Sequence, residues 1–248
     1  QVSPGPRGPD HLSGPLAPRR TPPRLLAMIT RRALLAAFLP APALAQEFIE
    51  VDGPLEDAEF YRLVACAASP PDGECQKPLV RWPTPRRLNL RVGIARIDPG
   101  FPAYKIEAID RALDAAIEEV NATGAHLNLV RAFRGAVDVP LYLLAVAEGG
   151  EIAGTGNRQI DGSSIALGRV VIRSRGQDIL AAAIAISRDI ARREIASVVL
   201  EELVQAMGLP TDVASEAYAG SIFSENGNSV VWLRNQDAEV LRLHYPRP

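Results

Sequence analysis

In the C-terminal quarter of the chain, Glu201 and Glu202 stand side by side, Gln205 follows four residues after Glu201, and Gly208, Thr211 and Asp212 come next. Ile195, Val199, Leu203 and Ala206 recur at intervals of three and four, so this stretch is predicted to be a helix from about Ala191 to Met207. Residues four apart share a helix face, which sets the oxygens of Glu201 and Gln205 beside each other. Glu202 sits at the edge of the apolar stripe and needs a partner if it is buried. Such a set has several chemical uses. Glu202, or Glu201 in its place, could serve as a general base. Glu201, Gln205 and Asp212 could bind a partner, or hold a hard cation such as calcium, on spacing alone. A hydrogen-bonded structural cluster explains Glu202 and Gln205 as well as catalysis does, and Glu201 alone reads as a solvated helix acid. No other cofactor is called for.

The run Glu201, Glu202, Gln205, Gly208 and Thr211 resembles the metal-binding helix of the metzincin metallopeptidases, H-E-x-x-H-x-x-G-x-x-H. On that pattern Glu202 takes the place of the general base and Gly208 that of the turning glycine. The three ligand positions hold Glu201, Gln205 and Thr211 instead of histidine. Glutamine and threonine are neutral oxygen donors that bind zinc poorly, so no zinc is expected. Ser221, Ile222 and Phe223 resemble the tight turn under the zinc site of those enzymes, with phenylalanine where they have methionine. Asp237, Val240, Leu241, Leu243, His244 and Tyr245 resemble their closing helix. A nearer similarity is to the domain-of-unknown-function family 2927 (DUF2927) of exported bacterial proteins, carried by Glu201, Glu202, Gln205, Gly208, Leu209, Asp212, Ser221, Ile222 and Phe223. His244 departs from the apolar residue expected before Tyr245.

The resemblance implies an α+β, zincin-like (metzincin-like) fold: a mixed sheet, a long helix in the N-terminal half, and a degenerate active-site helix. It implies a pseudo-metallopeptidase that binds a peptide, glycan or envelope partner without catalysis. The alternative is a hydrolase in which Glu202 remains the general base with an altered or absent metal. The two histidines, His126 and His244, leave a Ser/His/Asp triad open by count, but no G-x-S-x-G nucleophile elbow is present. Both histidines read as packing or surface residues.

Several elements must position this helix. Leu55 to Ala67 is predicted to be helical, and Leu88, Leu90, Val92 and Ile94 alternate at strand period. Ile106, Ile109, Leu113, Ile117 and Val120 mark one face of a helix that stops at Gly124. His126 to Phe133, Val137 to Val146, Arg169 to Ser174 and Leu180 to Ser187 are strand candidates. The glycines at 149, 150, 154 and 156 lack the spacing and the lysine of a phosphate-binding loop and read as turns.

The N-terminal part reads as export machinery. Thr30, Arg31 and Arg32 precede an apolar run, Ala33 to Leu39, too short to span a bilayer, and Ala43, Leu44 and Ala45 close it. Residues 28–45 are therefore predicted to be a signal peptide cleaved between Ala45 and Gln46, by the Sec or the twin-arginine route. Residues 1–27 read as an upstream extension or a disordered basic tail. Residues 46–87 form an N-terminal helix and disulfide loop, and 88–248 the zincin-like domain. Removing the first 45 residues takes six arginines and one acid from 27 basic and 29 acidic residues, leaving 21 and 28 and a net charge of −7. That balance argues against a nucleic-acid partner. No transmembrane segment is expected in the mature chain, and no cysteine follows the cleavage point to carry a lipid. Cys66 and Cys75 flank a Pro-Pro-Asp-Gly turn, and in the oxidising periplasm or outside the cell they are predicted to form a disulfide.

Overall fold

The computed structural model describes residues 48–227 and 229–248. The predicted signal peptide at 28–45, its cleavage point at Ala45 and Gln46, and residues 1–27 lie outside the described residues. The described chain is a mixed α/β arrangement of a five-stranded mixed sheet, a two-stranded sheet and four α-helices. No helix among the described residues is long and apolar enough to cross a membrane.

The first short strand, β1 (Phe48–Glu50), leads into α1 (Asp57–Cys66). Cys66, the last residue of α1, is joined to Cys75 with Cα atoms 5.0 Å apart, which pins the following loop to the helix end. Then come β2 (Leu90–Ile97), α2 (Ala103–Ala122), β3 (Leu129–Arg131), β4 (Val139–Leu144), β5 (Gly168–Arg175) and β6 (Asp178–Ser187). The large sheet has the order β3-β2-β4-β6-β5; all its pairs are parallel except β5 with β6. The chain ends with α3 (Ile195–Ala206), β7 (Asp212–Ala214) and α4 (Gln236–His244).

Parallel strands covered on both faces read as continuous apolar runs, and β4 and β6 do. Leu141, Leu143, Ile184 and Ile186 face the main core with Ile109, Leu113 and Ile117 of α2 and Val199 and Leu203 of α3. Their neighbours Tyr142, Leu144, Ala183 and Ala185 face the other way, against Ile152, Ile160 and Ile165 of the long β4–β5 connection. Gly149, Gly154 and Gly156 in that connection all have positive φ, as turn chemistry requires.

α1, β4, β5 and β6 begin or end one or two residues from the sequence expectation, and three further shifts have a local cause. The strand expected at 126–133 is only β3, because the His126 amide donates to the Tyr245 carbonyl and the Asn128 amide to that of Arg87. β2 begins at Leu90, since Arg86–Asn89 form a short 3₁₀ turn. The helix expected from Ala191 begins at Ile195. There the Glu194 carboxylate accepts from the Ala191 amide at 3.2 Å while the Glu194 amide donates to the Ala191 carbonyl, a closed turn before the helix.

Candidate functional site

α3 is fixed at its C-terminal end before its side chains are used for anything. The carbonyls of a helix's last turn have no partner within the helix. Here the Trp82 indole N–H donates to the Ala206 carbonyl at 3.0 Å and the Tyr245 hydroxyl donates to that of Met207 at 2.5 Å. The same tyrosine oxygen accepts from the Trp82 amide at 3.1 Å. Gly208 then turns the chain with φ +100°, and a Cβ there would collide with the Val80 carbonyl oxygen and crowd His244 Nε2. His244 is fully buried, its Nε2 3.0 Å from the Val80 carbonyl and its Nδ1 3.3 Å from the Tyr61 hydroxyl, which accepts from Arg81 at 2.5 Å. Burial, followed by the Arg81 charge, pushes the imidazole pKa down to about 3, so it is neutral. This polar but uncharged ring occupies the place where an apolar residue is expected.

The turn at Ser221–Phe223 is locked in the same manner. The Ser221 hydroxyl donates to Asp237 at 2.6 Å, and the Ile222 amide donates to the other oxygen of that carboxyl at 2.9 Å. Burial raises the Asp237 pKa to about 6 against the effect of these two bonds. Phe223 meets Phe60 edge-on with ring centroids 5.8 Å apart, which ties the turn to α1.

On another side of α3 lies an open cleft of about 1710 Å³, bordered by α3, the start of β5 and the first residue of β7. Glu201, Glu202, Gln205 and Asp212 all line it, so the four candidates from the sequence are brought together. Thr211 does not join them: it is fully buried, and its amide donates to the Val64 carbonyl of α1. β7 pairs in parallel with β1, setting Asp212 opposite Phe48, and so brings the neighbouring Asp212 to the cleft. Gln205 Nε2 donates to both Asp212 carboxyl oxygens at 3.3 and 3.4 Å. Burial, then the charges of Glu201 and Glu225, hold the Asp212 pKa well above the usual carboxylate range, against Lys77 and the Gln205 bond.

Glu202 is 7 % exposed and lies against the edge strand. At Gly168, the first residue of β5, a Cβ would overlap the Glu202 carboxylate, so the close approach of helix and strand needs glycine there. Lys77, Gly168, Arg169, Ser224 and Glu225 also line the cleft and escaped the sequence reading. Only Gly168 carried a local signal, as a glycine opening a strand; the others arrive from distant segments through tertiary packing.

Structural and catalytic zinc is held by thiolate, imidazole and carboxylate. The three positions that resemble ligand positions hold Glu201, a glutamine whose amide nitrogen faces Asp212, and a buried threonine; this set does not fit zinc. Among the described residues no group of three or more His, Cys, Asp or Glu is disposed to hold a metal. What the arrangement does offer is a carboxyl that burial and its acidic neighbours make harder to ionise, with Glu201 and Glu202 and an edge strand beside it.

A family described as "Protein of unknown function (DUF2927)" matches residues 43–247. A comparison with curated proteins found no match.

Proposed function

The chain belongs to the DUF2927 family, and from that premise we propose that it is an exported, non-catalytic binding protein of zincin-like fold whose cleft holds an extended peptide segment of an envelope partner. The observation that carries this reading is β5. It is an eight-residue strand at the end of the sheet order, paired with β6 on one side only among the described strands, and its first residues border the cleft. An unpaired strand edge beside a groove is a template for strand addition, in which main-chain hydrogen bonds supply affinity and flanking pockets supply selectivity. The zincin-like part of the reading is supported by the order of elements: long helix α2, mixed sheet, motif helix α3, locked turn at 221–223, closing helix α4. The non-catalytic part rests on the donor set, which gives no means of acidifying a water through zinc.

One observation favours the alternative, a hydrolase with Glu202 as general base. Glu202 lies directly against Gly168, where an added strand would pass. A single experiment separates the two. The chain beginning at Gln46 is incubated with a mixed peptide library, amide exchange of 168–175 is followed by mass spectrometry, and the peptides are sequenced afterwards. Protection of β5 with peptides recovered intact is the expected result. Cleaved peptides whose cleavage disappears in Glu202→Gln would establish the hydrolase, and neither protection nor cleavage would remove both readings. Export is tested separately by N-terminal sequencing of the protein from a periplasmic fraction, with Gln46 expected first.

A further inference from the structure

Granting the peptide-cleft reading just given, the lining of the cleft says which peptides it takes. We propose that it selects segments carrying a lysine or arginine side chain, seated among Glu201, Asp212 and Glu225.

The lining holds six acidic side chains against three basic ones, so an approaching cation is favoured over an anion. The acids are not spread evenly in their effect. Glu201 from α3 and Glu225 from the segment after the turn both act on the Asp212 carboxyl at the start of β7. The protein's own use of the site shows what suits it. Lys77, from the disulfide loop, reaches the cleft and donates its ammonium to the Pro210 carbonyl at 2.9 Å, and its charge opposes the others at Asp212.

A second observation points to a ligand independently of charge. Ser224 lines the cleft, is only 6 % exposed, and its hydroxyl oxygen is buried with no hydrogen-bond partner among the described residues. A buried hydroxyl without a partner costs stability, and a donor carried in by a ligand offsets that cost. Ammonium and guanidinium groups are donors only, so they suit a serine oxygen and carboxylates at once.

The seat has a proton-linked signature. Asp212 is protonated where an ordinary aspartate is not, because burial, Glu201 and Glu225 outweigh Lys77 and the Gln205 bond. A cation arriving beside it favours the ionised form. Binding therefore releases a proton, and affinity for basic peptides rises with pH through the range in which Asp212 titrates.

The test uses the chain beginning at Gln46 and end-capped decapeptide pools, each with one position fixed as Lys, Arg, acetyl-lysine, Gln or Glu. Lys and Arg pools are expected to bind about tenfold tighter than the Gln and acetyl-lysine pools, with the Glu pool weakest. The double variant Glu201→Gln, Glu225→Gln is expected to bring Lys and Gln pools within about twofold while Gln-pool binding persists. The acetyl-lysine comparison needs no protein variant and stands even if the double variant fails to fold. Binding of all pools alike, or tightest binding of the Glu pool, overturns the selectivity and leaves the peptide cleft in place. Binding of no pool overturns the cleft reading and this inference with it.

Discussion

The C-terminal half of α3 has two polar neighbourhoods built on opposite terms. Around Gly208, Val80, Trp82, His244 and Tyr245, buried polar groups meet partners, and the one titratable base is held neutral. Around Glu201, Glu202, Gln205 and Asp212, polar groups gather at a cleft wall, and burial with the charges of Glu201 and Glu225 raises the pKa of the Asp212 carboxyl. Both neighbourhoods meet at the end of α3, and it is the second that borders the described cleft. These residues therefore divide by what surrounds them: Gly208, Ser221, Phe223, Asp237 and Tyr245 are held in the packed interior, and Glu201, Glu202 and Asp212 line the cleft.

The largest effect is expected at Gly208. An alanine there would adopt φ near +100° and overlap the Val80 carbonyl, a backbone atom that cannot swing aside. Left-handed strain and overpacking together are expected to cost about 3–5 kcal/mol by urea unfolding. A cost below about 1 kcal/mol would show that the base of α3 is softer than its hydrogen bonds imply.

His244 gives the next effect, and its sign is definite. Its folded pKa of about 3 lies below the ordinary 6.5, so the unfolded chain binds the extra proton and stability falls as pH drops below about 6.5. Between pH 7 and pH 4 this amounts to about 3 kcal/mol. Asp237 acts oppositely: its folded pKa of about 6 lies above 3.8, so its contribution is present at low pH and lost as pH rises through 6. The two contributions offset each other in the wild-type protein. In His244→Leu the offset is removed, and stability at pH 4 relative to pH 7 should rise by about 3 kcal/mol over the wild-type difference. An unchanged pH profile would mean that the ring is not held neutral.

Much of this base was legible in the sequence, but not its logic. The stripe Ile195, Val199, Leu203 and Ala206 gave α3 its face, and the spacing in Ile106–Val120 gave α2. The turn at 221–223 and a closing helix near the C-terminus were implied by the family resemblance, not by periodicity, and α4 (Gln236–His244) stands where that helix was expected. β1 and β7 were not legible, because three-residue strands carry no periodicity, and their pairing is what sets Asp212 rather than Thr211 at the cleft. The restraint of His244 by Val80 and Tyr61 joins residues more than 160 positions apart, beyond any local signal. The cleft candidates on α3 shared one helix and could be found together; Lys77, Ser224 and Glu225 come from other segments and could not.

Ser221→Ala is expected to cost about 1–2 kcal/mol, the loss of one buried hydrogen bond to a carboxyl. Because that bond holds the Asp237 pKa down, the variant should also titrate Asp237 higher, which NMR of the labelled carboxyl would detect. A stability loss without that titration shift would mean that the turn, not the carboxyl, is what the serine supports.

The smallest effect on stability is expected at Asp212, and its pH dependence is the sharpest test of the contrast. Its raised pKa means the folded state holds a proton that the unfolded chain has released, so its contribution is present at low pH and lost as pH rises through the folded value. Asparagine mimics the protonated carboxyl in shape and cannot ionise. Asp212→Asn should therefore match the wild type at low pH and become the more stable of the two as pH rises through the folded value, by urea unfolding across a pH series. The opposite behaviour, a variant weaker at every pH, would make Asp212 a structural group like Asp237. A side chain whose removal stabilises the fold at the pH where it ionises is held there for something other than the fold.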